Sequence, residues 1–231
     1  VNADAYSWNW VFPDYLRRRV RERVELVGEP TGSATSPVDA SSQRSLSETI
    51  AAWSGAPIRA ILSTWGARTL DRGVIDLLPD LEIVLHAAGS VRDFVDGALV
   101  ARGIPIVNAV EINARPVAEF TLGIILTSLK NVFAYYRGAR RDEVRRWHRR
   151  AAEFDGGYFG TRVGLIGFGR VTRILIELLR PFSFEVHVSD PFLSKEAAAT
   201  LGVGKASGDD IVEGCDVISL HHADTPENRT T

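Results

Sequence analysis

Residues 162–191 read Arg-Val-Gly-Leu-Ile-Gly-Phe-Gly-Arg-Val-Thr-Arg-Ile-Leu-Ile-Glu-Leu-Leu-Arg-Pro-Phe-Ser-Phe-Glu-Val-His-Val-Ser-Asp-Pro, and their reading decides the fold. Residues 163–166 form a short apolar run, the pattern of a parallel strand buried on both faces. Gly167-Phe168-Gly169 makes a tight turn. Val171, Leu175, Leu178 and Phe182 then recur at helical spacing, so a helix follows with one face on a sheet. Residues 184–188 predict a second strand, with Asp190 at its tip and Pro191 after it. The unit is strand, turn, helix, strand, acid.

That order suits a dinucleotide. Gly167 permits the sharp turn, and Gly169 lets the backbone approach a pyrophosphate. The helix N-terminus presents N–H groups and a partial positive charge to that anion. Asp190 lies where a carboxylate binds both ribose hydroxyls and repels a 2′-phosphate, which favours NAD over NADP. Thr172 stands where the third glycine of G-x-G-x-x-G would sit, so the helix is expected slightly further from the strand. A glycine-rich turn alone also occurs in α/β proteins that bind nothing there. A methyltransferase, with its own glycine loop and acid, is the main rival.

The chain has 231 residues, 45% of them hydrophobic and 24% charged, the balance of a water-soluble globular protein of one large or two modest domains. A net charge of −2 argues against a nucleic-acid partner for the molecule as a whole. Cys215 is the single cysteine, so no disulfide forms within the chain and a cytoplasmic, reducing setting is expected. The most apolar window, 122–129, is too short to cross a bilayer. There is no methionine, even at position 1, so the chain is expected to be a piece of a longer protein.

From the start, 13–25 reads as an arginine-rich amphipathic surface helix, 24–27 as a short strand, 31–42 as a loop and 46–53 as a helix. Alternation follows. Strands are predicted at 58–63, 81–86 and 104–107, with helices at 70–78 and 94–102 between them. This rhythm implies a parallel sheet, whose ligands sit at the carboxyl ends of the strands. The loops 64–67, 88–91 and 108–115 are there. A long helix is predicted over 116–136, with Pro116 in its first turn and apolar residues almost all round, buried between its own chain and a partner subunit. The arginine-rich stretch 137–150 reads as a solvated connector whose Trp147 packs on the core. Helices at 194–201 and 209–214 and a strand at 217–220 follow the nucleotide unit.

Together these residues resemble a family. Gly164-Leu-Ile-Gly167-Phe-Gly169-Arg170-Val171, Asp190-Pro191, the run 216–221 with Thr225-Pro226-Glu227, Ala88-Gly89-Ser90-Val91 and the segment 117–122 are similar to the D-isomer-specific 2-hydroxyacid dehydrogenases. The resemblance implies two doubly wound α/β domains: a flavodoxin-like substrate domain over 1–112 and a Rossmann NAD-binding domain over 113–231, incomplete at its C-terminal end. It implies NAD as cofactor, a small 2-hydroxy or 2-oxo acid as substrate, no membrane and no nucleic acid, and a homodimer formed through helix 116–136. By position, Gly167, Phe168, Gly169, Arg170 and Val171 face the pyrophosphate and Asp190-Pro191 the adenosine ribose. His222, Thr225 and Asn228 line the cofactor, and Gly89 touches its nicotinamide half. Gly89 and Ser90 hold the substrate carboxylate, and Trp65 shapes the substrate pocket or packs in the core.

The resemblance places the catalytic arginine, glutamate and histidine after Thr231. No catalytic residue is therefore assigned in this chain, and His221 and His222 are not substitutes. Hydride transfer between NAD and a 2-hydroxy acid is the expected activity of the parent. The alternative is an NAD-sensing, dimerising corepressor-like binding protein of the same fold. No metal site is expected.

Overall fold

The computed structural model describes residues 1, 3–28, 46–92, 94–139 and 157–223. The loop expected at 31–42, most of the arginine-rich stretch with Trp147, and Thr225 and Asn228 lie outside them. The chain forms two compact units, Val1–Asn113 and Ala114–Thr231.

The first unit carries helices α1 (Ala5–Val11), α2 (Asp14–Arg21) and α3 (Leu46–Ala51). Then β1 (Ala60–Ser63), α4 (Arg72–Asp76), β2 (Ile83–His86), α5 (Gly97–Ala101) and β3 (Ile106–Asn108) alternate. The strands are parallel in the order β1-β2-β3, with Ser63 opposite His86 and His86 opposite Asn108. Ile61, Leu70, Val74, Ile75, Leu78, Leu81, Val84, Phe94 and Leu99 make its core. Helix starts are fixed by aspartates: Asp71 accepts from the Val74 N–H and Asp96 from the Ala98 N–H. Arg102 closes the end of α4, donating to the carbonyls of Ile75, Leu78 and Pro79 at 3.0, 2.8 and 2.8 Å.

Two expectations change here. Residues 24–27 form no strand; the apolar run has no ladder partner among the described residues, and apolar character alone does not make one. Helix α1 was not foreseen. Its signal is Asp4, which caps it by accepting the Ser7 N–H.

The second unit takes most of α6 (Val110–Leu129), then α7 (Val132–Ala139), β4 (Arg162–Ile166), α8 (Arg170–Leu179), β5 (Glu185–Ser189), α9 (Lys195–Leu201), β6 (Gly204–Lys205), α10 (Gly208–Gly214) and β7 (Val217–Leu220). Its strands are all parallel, ordered β6-β5-β4-β7. Val163 and Leu165 of β4 and Val188 of β5 are fully buried against Leu175, Ile176 and Leu179 of α8 and Ala118 and Ile125 of α6.

The long helix differs from its sequence reading. It starts at Val110, so Pro116 lies inside it rather than in the first turn. It ends at Leu129, where Asn131 takes a positive φ of 54° and a separate α7 begins. Nor is it buried all round in the single chain. Ala114, Ala118 and Ile125 are buried, whereas Ile112, Val117, Phe120 and Ile124 are exposed.

Candidate nucleotide-binding site

In the second unit the strand order reverses at β4: β5 and β6 lie on one side, β7 on the other. Successive crossovers therefore diverge there, and a crevice opens at the carboxyl ends of β4 and β7. The segment leaving β4 is Gly167-Phe168-Gly169, and that leaving β7 is His221-His222.

These two segments touch through their backbones. Gly167 has φ +94°, and a Cβ on it would lie 2.6 Å from the His222 amide nitrogen and 2.9 Å from the His221 carbonyl carbon. Only glycine meets both demands. The turn is also tied down on each side. The Gly167 N–H donates to Ser189 O at 2.8 Å, and the His221 N–H to Ile166 O at 2.7 Å.

Gly169 occupies the N-cap of α8 in an extended conformation, and no side chain caps the helix. A Cβ there would find its nearest neighbour 4.0 Å away. The first turn of this ten-residue helix has no side-chain cap and there is room beside Gly169, a combination suited to holding an anion. Asp190 does two things. Its Oδ2 accepts the Phe168 N–H and its Oδ1 the Phe192 N–H, both at 2.8 Å. An ionised carboxylate has about four acceptor positions, so each oxygen keeps capacity for a hydroxyl. The glycine turn and the acid are one hydrogen-bonded piece, a link sequence spacing does not show.

Thr172 is fully buried, and its hydroxyl donates to Gly167 O at 2.6 Å. The residue in place of the third glycine therefore braces the turn from inside. Arg173 lies over the Phe168 ring, 4.1 Å from its centroid, and holds that side chain beside the turn. His221 Nε2 bonds Ser219 Oγ at 2.9 Å, and burial lowers its pKa. Gly167, Phe168, Gly169, Arg170, Val171, Asp190, Pro191 and His222 thus cluster at this crevice or border it, and the room at Gly169, the uncapped helix and the acid fit a dinucleotide.

In the first unit, the residues expected at substrate lie on loops leaving adjacent strands. The Ala87 N–H donates to Ser63 O at 2.8 Å, and Thr64 Oγ1 donates to Ala87 O at 3.4 Å. Trp65 is 40% exposed, which excludes the packed-core reading. Gly89 and Ser90 follow β2, and Ser90 Oγ accepts the Arg92 N–H at 3.3 Å. Beneath them His86 is buried. Its Nδ1 meets Ser63 Oγ at 2.9 Å, its ring stacks on Phe94 with centroids 4.6 Å apart, and it bonds the Ser90 backbone. Burial lowers its pKa, outweighing the Ser90 hydrogen bond, which raises it. The sequence marks His86 only as a histidine at a strand end; its hydroxyl partner Ser63 lies on the neighbouring strand, 23 residues away. Among the described residues, no group of His, Cys, Asp and Glu has the geometry of a metal site, and no helix is long and apolar enough to cross a membrane.

The reversed parallel sheet, the glycine crossing and the acid at the end of β5 define a dinucleotide-binding α/β domain. Residues 122–231 match the family model for the NAD-binding domain of D-isomer specific 2-hydroxyacid dehydrogenases, and this part of the chain is a domain of that family. D-3-phosphoglycerate dehydrogenase of Mycobacterium tuberculosis (strain ATCC 25618 / H37Rv) is 33% identical over 162 residues, covering 70% of this chain and 30% of that protein. The chain thus spans about 30% of the length of the curated relatives it matches. Among solved structures, NAD-dependent formate dehydrogenase from Staphylococcus aureus in complex with NAD aligns with a TM-score of 0.63 and 23% identity, over 92% of this chain and 59% of that one. A phosphoglycerate oxidoreductase from Rhizobium etli aligns at 0.62 and 21%, over 94% and 64%. Both share the fold. The family match sets aside the methyltransferase reading.

Proposed function

We propose that the polypeptide to which this chain belongs transfers a hydride between NAD and a small 2-hydroxy or 2-oxo acid. Residues 113–231 act as the NAD domain and residues 1–112 as the substrate domain. The observation that carries this reading is the Gly167–His222 backbone crossing at the switch point, with Asp190 bonded to the same turn. When bound, NAD supplies the hydride acceptor or donor.

The chain's own residues have binding roles. The first-turn amides of α8 hold the pyrophosphate. Phe168, Arg170 and Val171 border it, and Thr172 fixes the turn. Asp190, with Pro191 setting the bend after it, takes the ribose hydroxyls. His222 lies along the cofactor. Gly89 and Ser90 offer backbone N–H groups to the substrate carboxylate, and Gly89 also borders the nicotinamide half. His86 and His221 are engaged by Ser63 and Ser219, and burial lowers both pKa values. Neither is assigned as general acid, a role that needs a proton donor titrating near the working pH.

The same reading includes a homodimer. Val117, Phe120 and Ile124 share one exposed face of α6, while the hydroxyls of Thr121 and Thr127 turn back onto Val117 O and Gly123 O at 2.8 and 2.6 Å. A helix whose polar groups are satisfied internally presents an apolar face suited to a second copy. The single cysteine, a free thiol with no partner for a disulfide within the chain, agrees with a reducing cytoplasmic setting.

Calorimetric titration tests the central claim. NAD should bind and NADP should bind more weakly, and Asp190→Ala should weaken NAD and erase the difference. Tighter binding of NADP than of NAD by the unmutated protein would overturn it.

A further inference from the structure

A groove of about 840 Å³ lies beside β1 in the first unit, and the proposed reaction makes no use of it. Residues 58–62 line it in succession. At about 3.3 Å per residue they run roughly 16 Å, close to the length of an ordinary strand. Ile61 and Leu62 are neighbours in β1, so their side chains stand on opposite faces of the sheet, yet both border the groove. The groove therefore lies along the edge of β1 and not over one face. β1 is the outer strand of its sheet, paired only with β2 among the described residues.

The other walls are apolar and uncovered. Leu16 and Val20 of α2 border the groove, and no residue of that amphipathic helix is buried. Val24, Leu26 and Val27 follow, the apolar run that has no ladder partner among the described residues. Val27 is held in place by the Val1 amino group, which donates to its carbonyl at 2.6 Å. The edge itself is polar. The Ala87 N–H donates to Ser63 O, so the peptide groups of Ser63 and, two residues earlier, of Ile61 turn to β2. Those of Ala60 and Leu62 turn the opposite way, and no backbone partner meets them among the described residues.

We propose that this groove receives an extended apolar peptide segment, supplied by polypeptide outside residues 1–231, which joins β1 as an added strand. The hydrogen-bonding row selects a peptide over a lipid chain. Hydrocarbon fills the space but leaves the Ala60 and Leu62 peptide groups covered and unpaired, whereas a strand bonds them. The walls select its sequence. Apolar side chains border the groove from both faces of the sheet, so the added strand is rich in Val, Ile and Leu throughout and does not alternate with polar residues. Residues 29–45 hold no such segment, since Val38 is their one large apolar residue and Pro30 and Pro37 interrupt them. Neither NAD nor the 2-hydroxy acid takes part.

The test uses the 231-residue chain and the peptide acetyl-Lys-Val-Val-Leu-Ile-Val-Lys-amide, with a fluorescein label for anisotropy and without it for amide hydrogen exchange by NMR. The peptide should bind saturably and slow exchange at the Ala60 and Leu62 amides at least tenfold. Ile218 and Leu220 on β7, an outer strand of the other sheet, should stay unchanged. Replacing the second Val and the Ile of the peptide by Pro should abolish both effects. Val20→Glu, on a helix with no buried residue, should raise the Kd at least tenfold, and Arg18→Ala should leave it as it is. Absence of binding would overturn the proposal. So would displacement of the peptide by decanoate, or equal protection of the β7 amides, which would make the effect common to any open edge. Ala60 and Leu62 amides already protected in the free chain would mean that its own residues fill the groove, and protection growing with protein concentration alone would mean that a second copy does; either result overturns it as well.

Discussion

Gly167→Ala and Gly169→Ala change the same short turn by one methyl group and should fail in opposite ways. At Gly167 the new Cβ would sit 2.6 Å from the His222 nitrogen and 2.8 Å from its Cα, well short of the 3.4 Å at which ordinary contact begins. The obstacle is backbone, so no rotamer change relieves it. Placing an L-residue in the left-handed region costs roughly 1–2 kcal/mol, and forcing a methyl into a packed site costs about 1–3 kcal/mol more. The expected loss of about 2–5 kcal/mol is a large part of the roughly 5–15 kcal/mol that stabilises a typical domain. At Gly169 the φ of −88° suits any residue and the nearest atom is 4.0 Å off. Stability should therefore change by less than about 1 kcal/mol, since reduced freedom of the unfolded chain offsets a slightly poorer helix cap. The methyl does, however, occupy the space in front of α8, so NAD affinity should fall at least tenfold. Urea denaturation gives the first quantity and calorimetry the second. Equal urea midpoints for Gly167→Ala and the parent chain would refute the crossing geometry, and unchanged NAD affinity in Gly169→Ala would refute the assignment of the anion site.

Thr172→Val keeps the shape but removes the buried donor to Gly167 O, and should cost about 1–3 kcal/mol in urea denaturation while raising the Kd for NAD; Thr172→Ser should restore both. His86 and His221 have folded pKa values below their unfolded ones, so the unfolded chain binds more protons under mild acid. Their contribution is complete above the unfolded histidine pKa of about 6.5 and falls as pH drops towards the folded values, by at most roughly 1.4 kcal/mol per pH unit for each histidine. Urea midpoints followed downward from pH 7 should show this decline, and His86→Gln should make it shallower. Phe120→Glu, on the exposed face of α6, should give a folded monomer in sedimentation, whereas Ile125→Glu should unfold the second unit, because Ile125 is buried in its core.

The nucleotide unit was legible because its information is local. Strand, turn, helix and strand between Arg162 and Ser189 follow from apolar spacing within each segment, and Asp190 is marked by its place at a strand end. The alternation of β1, β2 and β3 with α4 and α5 was legible for the same reason. Pattern misled where local and distant forces disagree. Pro116 reads as a helix start, yet α6 begins at Val110, and the helical pattern through 136 hides the break at Asn131. The apolar stripe of α6 showed that something covers it, but not that the chain itself buries Ala114, Ala118 and Ile125, with Leu122 and Leu129 in part, and leaves Val117, Phe120 and Ile124 exposed. Tertiary structure alone decided the Gly167–His222 crossing, the Thr172 brace and the His86 contact with Ser63. Each joins groups on different elements or across a turn, through a hydrogen bond or a contact distance. Residue type and spacing state which groups are capable of such contacts; only the folded backbone brings them within reach.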